Sequence, residues 1–95
     1  MKRTTEVDIP VFYMKEGDTF VVYTPAFDLV AHGDSFEDAE QSFVKSLSLF
    51  IEYVTEKETW KEVLEEYGWK KVHKTWIPPA IIRQDSKHVR IPVAV

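Results

Sequence analysis

The feature that most constrains this chain is the segment 35–54, whose pattern predicts one long amphipathic helix. Its apolar residues recur at steps of three and four, which places them on one helix face. They are Phe36, Ala39, Phe43, Val44, Leu47, Phe50, Ile51 and Val54. Ser35 can cap this helix by accepting a hydrogen bond from a free N–H near Asp38. A helix of about 20 residues is roughly 30 Å long, so it needs a hydrophobic surface of similar length.

Three predicted strands precede the helix and can supply that surface. Residues 7–14 alternate, with an apolar face made by Val7, Ile9, Val11 and Tyr13. Pro10 places this strand at a sheet edge, because proline has no N–H to donate to a ladder. A four-residue polar loop at 15–18 leads to a second strand at 19–24, and a third follows at 27–32. Strands with such short links favour an antiparallel meander with the helix across one face.

The remainder of the chain predicts a second helix and up to two further strands. Residues 55–67 are expected to be helical after a bend, with Thr55/Glu58 and Thr59/Glu62 as alternative capping boxes and Gly68 as the stop. Residues 69–77 are expected to form a strand that ends at Pro78-Pro79, and residues 88–95 alternate as a final strand. The prediction is an α+β fold in the order β-β-β-α-α-β-β. It forms one domain at 1–95, with its core at 7–77 and a tail at 78–95.

Composition excludes several classes of protein. The 95 residues include no cysteine, which rules out disulfides and thiolate metal sites. No stretch has the apolar length of a membrane span, and no apolar run follows the basic residues near the start. We therefore expect a cytoplasmic protein without a signal peptide.

The net charge of −4 is unevenly distributed along the chain. Residues 1–33 carry −2, residues 34–66 carry three lysines against ten acidic residues for −7, and residues 67–95 carry +5. An acidic middle beside a basic end indicates two electrostatically different partners, or one half that complements the other. The alternative interpretation is two solvated faces of one small domain.

The sequence offers little that predicts catalysis. The three histidines have no metal-ligand spacing, and a single glycine at position 33 makes no phosphate-binding loop. Asp28 and His32 are expected on the same strand face, close to Asp34. This carboxylate–imidazole pair is compatible with acid–base work or with a simple surface hydrogen bond. We expect no catalytic residue, no metal and no cofactor.

The basic end of the chain suggests contact with nucleic acid. Its cations are Lys70, Lys71, Lys74, Arg83, Lys87 and Arg90. Trp69 and Trp76 lie among them, and basic side chains combined with stacking residues can bind RNA or DNA. The alternative is that the tryptophans belong to the core while the lysines keep the flanking strands solvated.

A family resemblance appears at the entry to the long helix. A hairpin and a third strand lead into Gly33-Asp34-Ser35, followed by Glu37, Asp38 and Ala39. Over residues 7–67 this pattern resembles the HicB-like antitoxin family, whose core has a partial ribonuclease-H-like shape. The family usually has a Pro-Gly-Cys-like turn before the third strand, where this chain has residues 26–29, AFDL. Many relatives also carry a DNA-binding domain after the core, and none fits into residues 78–95.

The resemblance implies a prokaryotic antitoxin without catalytic activity, which binds a small basic mRNA-cleaving toxin of the HicA type. The residues assigned to partner binding are Asp28, His32, Asp34, Glu37 and Glu40. The acidic middle is compatible with this role, because it would attract a cationic ribonuclease. Family members associate, so a homodimer or a higher homo-oligomer is expected. The pairing strand contains Val89, Ile91 and Val93.

Two other functions remain open from the sequence. One is a nucleic-acid-binding protein that uses the basic end of the chain. The other is a degenerate ribonuclease-H-like nuclease, which would need several carboxylates to converge on magnesium. Its only candidates on the predicted strands are Asp8, Asp28 and Asp34.

Overall fold

The computed structural model describes residues 4–94 and contains two small sheets and two helices. In chain order the elements are β1 (Phe12–Glu16), β2 (Thr19–Thr24), β3 (Leu29–Gly33), α1 (Phe36–Lys57), α2 (Trp60–Glu66), β4 (Lys70–Val72) and β5 (Thr75–Ile77). The predicted α+β class and the order β-β-β-α-α-β-β are confirmed. Residues 1–3 of the predicted domain, and Val95 at the end of the predicted last strand, lie outside the described residues.

The first sheet is the predicted antiparallel meander, in the order β1-β2-β3. The prediction for β2 is confirmed, but β1 begins at Phe12 and not at residue 7. Before it, the carbonyl of Pro10 accepts a hydrogen bond from Thr24 Oγ1 at 2.7 Å, which replaces ladder pairing there. At its other end β1 continues to Glu16, so the predicted four-residue loop is a two-residue turn with Gly17 at a φ of 59°.

The third strand starts at Leu29, two residues later than predicted. A turn precedes it, in which Thr24 Oγ1 accepts a hydrogen bond from the N–H of Ala26 at 3.2 Å and Asp28 takes a φ of 50°. This turn directs Phe27 away from the sheet ladder and into the core, where its side chain is buried.

Helix α1 packs on β2 and β3 as predicted, but its buried stripe is narrower. Ser35 caps it, and its Oγ accepts a hydrogen bond from the N–H of Asp38 at 3.1 Å. Ala39 and Phe43 join Val22 and Ala31 in the first core cluster. Other members of the predicted apolar face, namely Phe36, Val44 and Ile51, are exposed. The reason is geometric: three strands of five or six residues cover less of the helix than eight apolar positions require.

A second core cluster adjoins the first, through Leu29 and Leu47, and is largely aromatic. Ala26, Phe27, Leu64 and Trp69 are buried there, and Phe50, Trp60 and Tyr67 pack against them. This cluster joins the β2–β3 turn, the end of α1 and the whole of α2. It explains how a short three-stranded sheet can hold two helices.

Neither predicted capping box forms at the junction of the helices. Thr59 precedes α2 but makes no side-chain cap. Thr55 instead donates to the carbonyl of Ile51 and accepts a hydrogen bond from Trp60 Nε1 at 2.9 Å. The helices separate at Glu58, which has a φ of 55°. Gly68, at a φ of 83°, ends α2 as predicted.

The two C-terminal strands differ from the predicted ones. The segment 69–77 folds back on itself as the hairpin β4–β5, because His73 and Lys74 both take positive φ values in the turn. No strand occurs in residues 88–94, where the last strand was predicted. Residues 79–94 are exposed along their whole length, and the described chain measures 60 Å along its longest axis. Within residues 4–94, neither helix has the length and apolarity that crossing a bilayer requires.

Candidate protein-binding surface

The most distinctive surface of the domain is the side of α1 that points away from the sheet. The carboxylates of Glu37, Asp38, Glu52 and Glu56 lie on this side, and all four residues are exposed. Their positions follow from the helical repeat, because Ala39 and Phe43 occupy the opposite side against the sheet. We call this surface, from Glu37 to Glu56, the outer face of α1.

Exposed apolar side chains lie beside these carboxylates. Leu49 is 56% exposed and Tyr53 is 61% exposed, although both are large hydrophobic residues. Together with Glu52 and Glu56 they line a shallow groove of about 330 Å³. The Nζ atom of Lys57 lies 5.6 Å from the centre of the Tyr53 ring. A groove lined by two apolar and two acidic side chains suits the alkyl stem and charged end of a lysine or arginine.

The carboxylates of the acidic middle are not neutralised by neighbouring cations. Both ion pairs found within residues 4–94 are made by Asp85, with Arg83 at 3.0 Å and Lys87 at 3.1 Å. Consequently none of the ten acidic residues in 34–66 is paired with a described lysine, arginine or histidine. The negative charge of this part of the chain is therefore available to a partner.

The structure does not gather the five predicted partner-binding residues into one site. Asp34 and Glu37 lie together at the N-terminus of α1, where both are exposed. Asp28 lies in the turn before β3 and has a φ of 50°, whereas His32 lies within the strand, so the predicted pair on one strand face does not form. They form no hydrogen bond with each other, and Asp28 instead accepts one from the Tyr23 hydroxyl at 3.0 Å. This bond raises the pKa of Tyr23.

The fifth predicted residue, Glu40, faces β1 and is only partly exposed. The pKa of Tyr13 is raised, mainly by hydrogen bonding to the Glu40 carboxylate. The Oε2 atom of Glu40 is itself buried and has no partner within the described residues. Glu40 therefore belongs to the space between α1 and β1, and not to the outer face of α1.

The basic residues are divided between the second hairpin and the tail. Lys70, Lys71 and Lys74 are exposed on β4–β5, where Lys71 Nζ lies 5.9 Å from the Trp76 ring. Arg90 is exposed in the tail, whereas Arg83 and Lys87 pair with Asp85. The pKa of Asp85 is lowered, mainly because its carboxylate accepts a hydrogen bond from the backbone N–H of Ser86. The hydrogen bond from Lys87 is the next largest cause.

The two tryptophans of the basic end have different environments. Trp69 is 5% exposed and its ring stacks on Phe27, so it has no free face for a nucleobase. Trp76 is half-buried. The alternative prediction, in which tryptophan belongs to the core, is therefore correct for Trp69.

The carboxylates proposed for a nuclease do not converge. Asp28 is held by Tyr23 at the start of β3, while Asp34 follows the end of that strand. Within residues 4–94 no three histidine, aspartate or glutamate side chains are placed to hold a metal ion. The predicted dimer residues Val89, Ile91 and Val93 are exposed in the tail.

Leu49 and Tyr53 are the surface residues that sequence reasoning missed. A signal for them exists, since both fall outside the predicted apolar stripe and leave large apolar side chains on the polar side of the helix. Comparison of the chain with protein-family models, with curated proteins and with solved structures finds no match. The chemistry of the surface must therefore carry the functional interpretation.

Proposed function

We propose that this chain is a cytoplasmic HicB-like antitoxin that binds a small basic mRNA-cleaving toxin and blocks it without catalysing a reaction. The observation that carries this proposal is the outer face of α1. Its exposed carboxylates have no cation partners among the described residues, and exposed Leu49 and Tyr53 lie among them. Such a surface is complementary to a protein whose own surface is built to hold RNA phosphates.

The inhibition would work by competition for the toxin's cationic surface. An RNA-cleaving protein binds its substrate largely through lysine and arginine contacts with phosphates. A carboxylate-rich helix that occupies those side chains excludes the RNA. In the groove, Leu49 and Tyr53 would contact the alkyl stem of one lysine or arginine of the toxin. Glu52 and Glu56 would pair with the positive charge of that side chain.

This proposal also depends on the resemblance at the entry to α1. The antiparallel meander followed by a capped helix is the arrangement that the resemblance implies. The Gly33-Asp34-Ser35 motif has a structural role here, because Ser35 caps α1 and Gly33 allows the helix to approach β3. The motif therefore supports the fold, and the function depends on the acidic surface.

The direct test uses a basic toxin encoded beside this chain and measures binding by calorimetry. We expect the double variant Glu52→Lys/Glu56→Lys to bind at least about tenfold more weakly, since each close charge reversal costs on the order of 1 kcal/mol or more. The matched control is Glu65→Lys/Glu66→Lys, which makes the same change in net charge on α2. Both control residues are exposed. Equal loss in the two variants would reveal only long-range attraction, and no loss in either would exclude the outer face of α1.

A second candidate function is nucleic-acid binding by the hairpin β4–β5. Lys70, Lys71 and Lys74 are exposed on this one short element beside the half-buried Trp76. Affinity for single-stranded RNA should then fall steeply as salt rises. It should also fall in Lys70→Glu, whereas Lys45→Glu on α1 should leave it unchanged. RNA affinity that does not depend on salt would contradict this candidate.

A further inference from the structure

The last part of the chain forms an extended arm that makes little use of its own domain. We call residues 80–94 the C-terminal arm. Every one of these residues is exposed, including the large aliphatic side chains Ile82 at 95% and Ile91 at 72%. Pro78 and Pro79 end β5, since proline fixes φ near −65° and has no N–H to donate to a ladder, and no helix or strand follows them up to residue 94. The arm therefore projects an apolar sequence into solvent.

The sequence of the arm has the pattern of a strand that lacks a sheet. Val89, Ile91 and Val93 would lie on one side of an extended backbone, with His88, Arg90 and Pro92 on the other. Because Pro92 has no N–H, only the backbone edge that carries the N–H groups of Val89, Ile91 and Val93 can pair with another strand. The backbone of the arm makes no ladder hydrogen bonds within residues 4–94. A segment of this kind is suited to β-augmentation, in which an extended chain adds to an exposed sheet edge.

The first sheet offers a matching edge at β1. The strand order β1-β2-β3 leaves β1 paired on one side only. Beside it lies a shallow groove of about 200 Å³, lined in part by Tyr13, Phe20, Phe36 and Ala39. Tyr13 and Phe36 contact each other with centroids 5.3 Å apart, yet both are about half exposed. This space is lined mostly by apolar side chains, with Lys15 also at its wall, and it adjoins the free edge of β1.

Charge favours the same arrangement. On β1 the side chains of Tyr13 and Lys15 share a side with Val22 and Phe20, which is the side facing α1. Glu16 points to the opposite side of the sheet and is exposed there. If the aliphatic side of the arm faces the groove, Arg90 lies on the same side of the sheet as Glu16.

We propose that the C-terminal arm of one copy adds as a fourth strand to the β1 edge of a second copy, with Val89, Ile91 and Val93 facing the groove. The exchange is reciprocal and gives a two-fold symmetric dimer. It uses a surface separate from the outer face of α1. It therefore goes beyond the proposed function and can hold whether or not a toxin is bound.

Light scattering after gel filtration tests the dimer. The full chain should have twice the monomer mass of 11.1 kDa. Ile91→Glu should halve that mass with an unchanged circular dichroism spectrum, because Ile91 is exposed within one chain and its replacement leaves the core intact. The matched control is Ile82→Glu, in the arm but outside the added strand, which should stay dimeric. A monomeric full chain, a dimeric Ile91→Glu variant or a monomeric Ile82→Glu variant would each overturn the proposal.

Disulfide trapping tests the receiving edge, and the absence of native cysteine makes the experiment clean. Lys15→Cys protein is mixed in turn with Val89→Cys, Ile91→Cys and Val93→Cys proteins, then oxidised. At least one mixture should give a covalent heterodimer, whereas Lys45→Cys on the outer face of α1 should give none. Failure of all three mixtures would exclude the β1 edge. A chain carrying both cysteines that closes only on itself would show that the arm binds its own sheet, which also overturns the proposal.

Discussion

Trp69 stacks on Phe27, with ring centroids 5.3 Å apart and ring planes inclined by 15°. The Trp69 Nε1 also donates a hydrogen bond of 2.9 Å to the carbonyl of Ala26, which lies 43 positions earlier in the chain. Through these contacts one residue beyond α2 holds the turn between β2 and β3. The second core cluster thus depends on a residue that the charge pattern assigned to the basic end.

Replacement of Trp69 by alanine should destabilise the domain by about 3–5 kcal/mol, because it removes a buried aromatic ring and leaves a cavity. Trp69→Phe keeps most of the ring stack but loses the bond to Ala26, and should cost roughly 1–3 kcal/mol. Urea unfolding followed by circular dichroism measures both. Trp76→Ala is the control and should cost clearly less, since Trp76 is half-buried. Equal losses at the two tryptophans would contradict this assignment.

Gly33→Ala should destabilise the domain by about 1–3 kcal/mol, although Gly33 does not have a positive φ. A Cβ atom there would lie 2.7 Å from the Cα of Ala39 and closer still to its backbone nitrogen, so the start of α1 would have to move away from β3. Thermal unfolding measures the loss.

Gly17→Ala provides a contrasting control for Gly33. A Cβ at Gly17 meets no atom within 4 Å, and only the positive φ is unfavourable. This change should cost about 1–2 kcal/mol through backbone strain. Only Gly33→Ala should in addition alter the amide resonances of the first turn of α1, and a spectrum unchanged there would refute the close approach.

The parts of the fold that the sequence predicts well are those set by local chemistry. The α1 cap at Ser35 follows from the side chain itself and from the apolar repeat behind it. Strand β2 and the stop at Gly68 were likewise correct. Each of these depends on residues that are neighbours in the chain.

The errors arise where distant residues override a local pattern. Phe27 alternates with Leu29 as a strand would, but Trp69 and the hydrogen bonds of Thr24 draw it into a turn. The hairpin turn at His73 and Lys74 has no glycine or asparagine, so nothing local marked it. Residues 88–94 alternate as a strand would, but they pair with no strand of the described chain.

The candidate surface was predicted in its charge but not in its arrangement. The count of acidic residues in 34–66 correctly indicated a negative surface. It could not separate Glu40, which faces Tyr13, from Glu37, which faces solvent. Nor could it connect Asp28 with Tyr23, because that contact depends on the turn before β3.

Glu58→Gly should stabilise the domain by about 0.5–1 kcal/mol. Glu58 follows α1 with a φ of 55° and a ψ of 41°, a left-handed conformation that strains any residue with a Cβ. The backbone hydrogen bonds from Glu58 to Thr55 and from Thr59 to Val54 hold it there. Glycine adopts the same conformation without strain, at the expense of greater freedom in the unfolded chain.

A helix-interior substitution controls for the general effect of glycine in the Glu58 experiment. Glu52→Gly, six residues earlier in the interior of α1, should destabilise the domain by about 1 kcal/mol. The melting temperatures of the two variants should therefore move in opposite directions. A decrease in both would show that Glu58 stabilises the junction through its side chain.

The hydrogen bond between Tyr23 and Asp28 predicts a pH effect on the alkaline side. It raises the pKa of Tyr23 above the ordinary value of 10.0. When folding raises the pKa of a group, that group contributes its full stabilisation at pH values below its pKa in the unfolded chain. The contribution is lost as the pH rises through its pKa in the folded protein. The Tyr23 contribution should therefore be present at neutral pH and disappear above about pH 10.

Asp28→Ala should lower the pKa of Tyr23 toward its ordinary value, because it removes the hydrogen-bond acceptor, which is the main cause of the raised pKa, together with the carboxylate charge. Carbon-13 resonances of the four tyrosines, titrated by NMR and assigned with Tyr23→Phe, report each pKa separately. Asp18→Ala is the control and should leave the Tyr23 titration unchanged. Tyr13 should be unaffected by either change, because its partner is Glu40. A Tyr23 titration that is the same with and without the Asp28 carboxylate would show that this bond does not form in solution.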